Sequence, residues 1–424
     1  MNLGALVWGF RVSSSALAAA AAALVVASTG ALADDAPAWD GADGGADAGT
    51  ITATFGRGGA APEEQANTVR HWHGRTTNLT NGVTYGYNIV GFNPNTNSSA
   101  TIGVDIIPLD LTVRGTTFSG SNLVPAVLAS PSFTAGDYTT AAGASTASGA
   151  SGPGGPLSAG NTDVQLLDAT MRAEFDKVGT GYHVILSPTV LDAAAITVPA
   201  NLGLTRTTKG GVTFGLVDQV WLQGVIDAQV ASRNLDPSRL ALFLTYNVVL
   251  FADGNPKHCC VLGAHGAGSA SGQGDPTAGR HGNEPLQTFA WGSWLSAGIF
   301  SPFTMWGRQD IHGLSHEIVE WANDPYGNNT VQNWFSALNP QYGCSNLFET
   351  GDPVLNIAFG IGTNTFDQNH WSDGLYHPSD EALLPWFMRS APETQQSQSS
   401  GGGRLTFMGD LNPFANFHQA SLAC

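Results

Sequence analysis

The segment 311–325 constrains the fold most, because it combines an apolar stripe of helical spacing with an opposite face of metal-ligand residue types. At about 100° per residue, the apolar side chains fall on one side of the predicted helix and the acids and histidines fall on the other. The apolar side consists of Leu314, Ile318, Trp321 and Ala322. The opposite side consists of His312, His316, Glu317, Glu320 and Asp324. The segment therefore predicts a helix that packs against a core and presents ionisable groups.

Three residues on the ionisable face have the spacing of a metal site. His316 and Glu320 stand four residues apart, so their side chains can reach one ion, and Glu317 lies where a base would meet a metal-bound water. This is the zincin pattern H-E-x-x-H with Glu in place of the second His. Zinc is the expected ion, and manganese or calcium is also compatible because a carboxylate ligand suits harder cations. The alternative interpretation is a surface helix whose acids and histidines are solvated.

A catalytic metal site needs a third protein ligand and an open coordination position. Two acids, Glu349 and Asp352, follow the predicted helix after a turn-rich return of the chain that could bring them over it. We expect Glu349 to be the third ligand and Asp352 to be a supporting carboxylate. The alternative is an acidic turn that packs beside Cys344 without binding an ion.

Other candidate ligands are weaker. His312 lies four residues before His316, but a glycine follows it and a helical conformation there is uncertain. Asp324 lies eight residues after His316, which is about 12 Å along a straight helix and too far for one shared ion. His71 and His73 would face the same side of a strand, but nothing nearby completes a site, so we interpret them as surface residues.

Residues 1–33 have the features of a secretory signal peptide: one positive charge at Arg11, an apolar centre and the ending Ala31-Leu32-Ala33. Its removal takes the net charge from −17 to −18, so nucleic acid and anionic membranes are poor partners. No later apolar run is long enough to cross a bilayer. We expect a secreted protein, extracellular or periplasmic, without membrane insertion in its mature form. The alternative is an uncleaved N-terminal anchor.

The four cysteines indicate disulfides after export. A bond between the adjacent residues Cys259 and Cys260 is strained, so we expect them to pair with Cys344 and Cys424 in one of two ways. The alternative is a zinc site of four thiolates, which lacks the usual C-x-x-C spacing.

The apolar patterns predict an α+β fold with many loops. From residue 162 onward, helical spacing covers 164–178 and 216–231, and strand patterns cover 182–186 and 240–251. This order predicts a zincin-like domain with a mixed sheet, a backing helix and the metal-binding helix. The predicted regions are a signal peptide at 1–33, a flexible leader at 34–66, a β-rich N-terminal region at 67–133, a low-complexity loop at 134–161 and the zincin-like domain at 162–424.

The motifs of this chain resemble those of the secreted phosphate-induced (exordium-like) proteins of plants and their microbial relatives. Those proteins carry an S-H-E-x-x-E helix, a later acidic turn and a C-G-x-H-like segment. The matching residues here are Ser315-His316-Glu317-Ile318-Val319-Glu320, Asn323-Asp324-Pro325, Glu349-Thr350-Gly351-Asp352, and Cys260 with Gly263-Ala264-His265-Gly266. The resemblance covers residues 160–375 loosely. It implies a secreted zincin-like protein and does not establish a peptidase.

Two functions fit these residues. The first is a secreted metal-dependent hydrolase, peptidase-like, in which His316, Glu320 and Glu349 hold the ion and Glu317 is the base that activates water against a peptide carbonyl. The second is a non-catalytic extracellular or cell-envelope binding protein, in which the same residues hold a structural ion. The position of Glu317 separates them. An open cleft around it favours hydrolysis, whereas burial in an ion pair favours the second function.

Overall fold

The fold is given by a computed structural model. It describes residues 51–55, 68–78, 80–138, 142–146, 162–269, 285–300, 304–336, 344–366, 369–389 and 406–408. The predicted signal peptide at 1–33, most of the predicted leader and Cys424 lie outside these ranges. Among the helices within them, none is long and apolar enough to span a bilayer.

The described part of the chain forms five α-helices and nineteen strands. The helices are α1 (Val124–Leu128), α2 (Leu166–Glu174), α3 (Gln219–Arg233), α4 (His312–Asn323) and α5 (Leu384–Phe387). The first ten strands are β1 (Ile51–Phe55), β2 (His71–Thr77), β3 (Thr84–Val90), β4 (Ser99–Val113), β5 (Thr116–Ser119), β6 (Gly136–Asp137), β7 (Ala142–Thr146), β8 (Thr162–Val164), β9 (His183–Val190) and β10 (Ala194–Thr197). The remaining strands are β11 (Gly203–Thr207), β12 (Thr213–Asp218), β13 (Leu240–Tyr246), β14 (Val248–Phe251), β15 (Cys259–Ser269), β16 (Leu286–Trp294), β17 (Thr330–Trp334), β18 (Ser345–Leu347) and β19 (Ile357–Gly360).

An eleven-stranded mixed sheet forms the centre of the fold. Its order is β10-β4-β13-β16-β15-β14-β12-β11, with β1 beside β15, and β5 and β9 beside β4. Strand β13 runs parallel to β4 and β16, whereas β15 runs antiparallel to β16 and β14. Strand β13 is an almost continuous apolar run and is buried along nearly its whole length, as expected for a strand covered on both faces. The prediction of an α+β fold with a mixed sheet is confirmed.

The helical patterns are confirmed by α2, α3 and α4, except that residues 216–218 of the second pattern belong to β12. The strand pattern over 240–251 is divided. Asn247 adopts a left-handed backbone conformation with φ 51°, which ends β13 and starts β14. The chain changes neighbours at this residue, because β13 pairs with β4 and β16 while β14 pairs with β12 and β15. An unbroken apolar run therefore contains two strands.

The sheets cross the boundaries of the regions predicted from composition. Strand β4 lies in the predicted N-terminal region at 67–133 and pairs directly with β13 of the predicted zincin-like domain. Strand β1 lies in the predicted leader at 34–66 and pairs in parallel with β15. Strand β7 lies in the predicted low-complexity loop at 134–161 and pairs with β19.

Helix α4 packs against β15 and β16, and small residues allow its close approach. A Cβ on Gly292 of β16 would lie 2.7 Å from the Cα of Leu314, so a side chain there is excluded. Every residue of α4 is buried, including those of the ionisable face. The alternative of a solvated surface helix is therefore wrong, because other segments cover the polar face of the helix as well.

The disulfide prediction is wrong for the adjacent cysteines. Cys259 and Cys260 are bonded to each other at the start of β15. The peptide bond between them is cis, and their Cα atoms lie 3.0 Å apart. Cys344 is also disulfide-bonded. Since both members of the adjacent pair are oxidised, the alternative zinc site of four thiolates is excluded.

Candidate metal centre

Three side chains of α4 project into one buried region. His316 Nε2 lies 3.1 Å from Glu320 Oε2, as expected for residues one helical turn apart. Glu317 lies beside them, and the three side chains are between 0 and 2 % exposed. His316 and Glu320, four residues apart in the sequence, therefore form a contact between an imidazole and a carboxylate.

The acidic turn that contains Glu349 and Asp352 lies against this part of α4. Glu320 Oε1 accepts hydrogen bonds from the backbone N–H groups of Gly351 (3.0 Å) and Asp352 (3.2 Å). Asp352 Oδ1 lies 3.5 Å from His316 Nε2. Gly351 faces the imidazole of His316 so closely that a Cβ would overlap the ring. The turn therefore fits the helix only because this position is glycine.

Strand β15 adds His265, a buried residue to which the sequence alone assigns no role beyond its place in the resemblance. Its Nδ1 is hydrogen-bonded to Glu317 Oε2 at 3.0 Å and lies 3.6 Å from Glu320 Oε2. Its Nε2 lies 3.6 Å from Glu349 Oε2. Alternation along a strand places His265 on the same face as Gly263, where a Cβ would overlap Glu317. A glycine two positions before a histidine in a predicted strand is the sequence feature that could have identified His265 as part of the site.

The described residues contain two groups whose candidate ligand atoms all lie within 4.8 Å of one another. The first group is His265, Glu320 and Glu349, and the second is His316, Glu317 and Glu320. Glu320 belongs to both. The predicted ligands His316, Glu320 and Glu349 are therefore brought into one cluster but are divided between two groups.

Burial and mutual repulsion set the protonation of the acids. Burial raises the pKa of Glu317 well above its usual range, and the charge of Glu320 raises it further. Burial also raises the pKa of Glu320, although the positive charge of His316 opposes this. Burial lowers the pKa of His316, but the charge of Glu320 and a hydrogen bond from the imidazole to Asp352 outweigh this, so its pKa lies well above the usual value. The cluster therefore carries excess negative charge when its acids ionise.

His265 has the opposite protonation tendency. Burial, with repulsion from His316, lowers its pKa to about 3, so the imidazole is neutral at physiological pH. A neutral imidazole is the form that binds metal ions. Within the described part of the chain, His265 Nε2 and Glu317 Oε1 are buried atoms without a hydrogen-bond partner. Both atoms belong to residues of the candidate ligand groups, and a bound cation would give each of them a partner. The donor set thus fits a metal ion.

The segment around Glu381 completes the surroundings of the cluster. Thr350 Oγ1 donates a hydrogen bond to Glu381 Oε2 at 2.9 Å. Ser379 Oγ lies 3.5 Å from His316 Nδ1. Burial raises the pKa of Glu381 well above its usual range. No spacing in the sequence links this segment to α4, so it could not be found without the structure.

The weaker candidates lie outside both groups. His312 Nε2 donates a hydrogen bond to the carbonyl of Leu355 at 2.9 Å. Asp324 follows the last residue of α4 and accepts hydrogen bonds from the backbone N–H groups of the next turn. His71 Nδ1 lies 3.0 Å from a backbone carbonyl, and His73 Nδ1 lies 3.3 Å from an asparagine of β3. These side chains have structural partners in place.

Comparison of the chain with protein-family models, with curated proteins and with solved structures gave no match.

Proposed function

We propose that this protein binds a divalent metal ion in the buried cluster around Glu320, within a zincin-like arrangement of α4 and the central sheet. The supporting observation is the convergence of two imidazoles and three carboxylates in which His265 Nε2 and Glu317 Oε1 have no hydrogen-bond partner among the described residues. A cation satisfies such atoms and offsets the repulsion between buried acids. The ligands come from His316, Glu320 and Glu349, as the sequence predicts, and from His265 and Glu317 beside them.

Zinc and manganese suit this donor set best. Zinc is commonly bound by imidazole together with carboxylate, and manganese accepts the same mixture. Calcium prefers oxygen ligands throughout, so two histidines in the cluster make it the weakest of the three expected ions.

The geometry favours a structural ion over a catalytic one. Glu317 is fully buried and hydrogen-bonded to His265, which is the arrangement expected of the non-catalytic function. An ion at this place would fasten β15 and the turn at Glu349 to α4, because each contributes a ligand. The signal-peptide features at 1–33 and the resemblance to exordium-like proteins support an exported protein with an extracellular or cell-envelope partner.

A metal-dependent hydrolase, peptidase-like, is the second candidate. The observation in its favour is Glu317 itself, which follows a metal-ligand histidine directly and has an unpartnered Oε1 among the described residues. When bound, the ion would acidify water and polarise a carbonyl. Glu317 would hold the proton of the attacking water.

Elemental analysis of the purified protein tests the proposal. We expect at least about one equivalent of zinc or manganese in the wild type and almost none in Glu320→Ala, because Glu320 belongs to both ligand groups. Asp227→Ala, which removes an exposed carboxylate of α3, is the control and should keep the metal. A wild-type protein that stays metal-free after incubation with zinc and manganese would refute metal binding.

Glu317→Gln separates the two functions. If the wild type cleaves peptides, a variant that keeps the metal but loses cleavage supports the hydrolase. If the variant instead lowers both metal content and thermal stability, and neither protein cleaves peptides, the structural role is supported.

A further inference from the structure

The two ligand groups share one residue, Glu320. Glu320 Oε2 lies 3.1 Å from His316 Nε2 in one group and 3.6 Å from His265 Nδ1 in the other. Two ligand atoms that each lie about 2.1 Å from one ion are typically about 3.4 Å apart in a tetrahedral site. The His316–Glu320 pair therefore has the separation expected around an ion, and the same oxygen also lies beside the His265 ring of the other group.

The other oxygen of Glu320 is already in use. Glu320 Oε1 accepts hydrogen bonds from the backbone N–H groups of Gly351 and Asp352. These contacts hold the carboxylate in one orientation and leave Oε2 directed at the two histidines. A carboxylate fixed in this way can bind an ion through Oε2 only. This oxygen lies beside one histidine from each ligand group.

Each group also contains its own unsatisfied atom. His265, in the group with Glu349, has the unpartnered atom Nε2, and Glu317, in the group with His316, has the unpartnered atom Oε1. Both atoms are buried and lack a hydrogen-bond partner within the part of the chain that the structure describes. An ion in one group would leave the orphaned atom of the other group as it is, so one ion does not account for both.

Building on the proposed metal binding, we propose that the cluster holds two divalent cations bridged by Glu320 Oε2. One is bound by His316 and Glu317, and the other is bound by His265 and Glu349. In this arrangement Glu317 is a metal ligand, and its hydrogen bond with His265 connects the two metal sites. The centre belongs to the class of carboxylate-bridged pairs, in which the ions typically lie about 3.5–4 Å apart.

Counting ions tests the proposal. Native mass spectrometry of the purified protein, loaded with zinc or manganese and freed of excess metal, should show about two ions per chain. His265→Ala and His316→Ala should each retain about one ion, and Glu320→Ala should retain none. His258→Ala removes a histidine that pairs with exposed Asp253 far from α4 in sequence, and it should keep both ions. One ion in the wild type overturns the pair but leaves the proposed function intact, whereas none overturns both.

A second measurement uses the wild-type protein alone, so its result does not depend on whether the variants fold. Manganese(II) added stepwise should give an isolated-ion electron paramagnetic resonance spectrum at first and a spin-coupled spectrum as the second equivalent binds. Glu320→Gln preserves an oxygen for the backbone N–H groups but weakens the bridge, so we expect it to lose the coupling with a wild-type circular dichroism spectrum. Isolated-ion spectra throughout the wild-type titration would overturn the bridge.

Discussion

His265 Nδ1 and Glu317 Oε2 lie 3.0 Å apart and join β15 to α4 across 52 residues of sequence. Both side chains are fully buried. Through this contact the central sheet reaches the ionisable face of the helix.

Removing either partner of this contact should destabilise the protein, and removing both should cost less than the sum. In the presence of a chelator, His265→Ala leaves the buried carboxyl of Glu317 unsatisfied, which typically costs about 1–3 kcal/mol. The double variant with Glu317→Ala loses the interaction only once, so a coupling free energy of about 1–3 kcal/mol is expected. Urea unfolding of the four proteins measures it. Strictly additive effects would mean that the two side chains do not interact.

Gly263→Ala should displace Glu317. A Cβ at this position would overlap the Glu317 side chain, so we expect a loss of about 1–3 kcal/mol of stability together with reduced metal content. Gly268→Ala on the same strand is the matched control, because a Cβ there meets no atom within 4 Å. Thermal unfolding and elemental analysis of both variants should separate them. Equal behaviour of the two would argue against the close contact at Gly263.

Glu174 should make the protein less stable as the pH rises. Burial raises the pKa of this carboxyl from 4.5 to about 8, although a hydrogen bond from the backbone N–H of Leu384 lowers it. Below pH 4.5 both states are protonated. Between pH 4.5 and about 8 the unfolded chain ionises while the folded chain keeps its proton, so stability is lost across this range.

Glu174→Gln should abolish this loss, because the amide keeps an oxygen for Leu384 and never ionises. The variant should match the wild type near pH 4 and exceed its free energy of unfolding by at most about 5 kcal/mol above pH 8. Denaturant unfolding at a series of pH values measures the difference. A difference that does not change with pH would contradict the assignment.

Metal removal should lower the melting temperature of the wild type. An ion that binds only the folded state stabilises it by about 4 kcal/mol when present at about a thousand times its dissociation constant. Calorimetry before and after dialysis against a chelator should show the fall, and readdition of zinc or manganese should reverse it. Glu320→Ala provides the comparison, since it should melt at one temperature under both conditions.

The sequence could predict what depends on neighbours along the chain. The spacing of apolar residues in 311–325 is confirmed as helix α4, and the four-residue interval places His316 against Glu320. The same local rules predict α2, α3 and the α+β class. They fail at 240–251, because one left-handed residue, Asn247, divides an apolar run that has no sequence break.

The tertiary structure decided everything that joins distant segments. It brings His265 to Glu317. It places Glu349 beside His265 and not in the ligand group of His316. It also buries the polar face of α4, which an amphipathic pattern assigns to solvent. The physical reason is the distance along the sequence over which each effect acts. Helical periodicity follows from backbone geometry over a few residues, whereas a ligand set assembled from a strand, a helix and a turn depends on how the sheet packs. Local sequence therefore determined which residues of α4 have metal-ligand chemistry, and only packing of the sheet and turn against that helix decided which partners they meet.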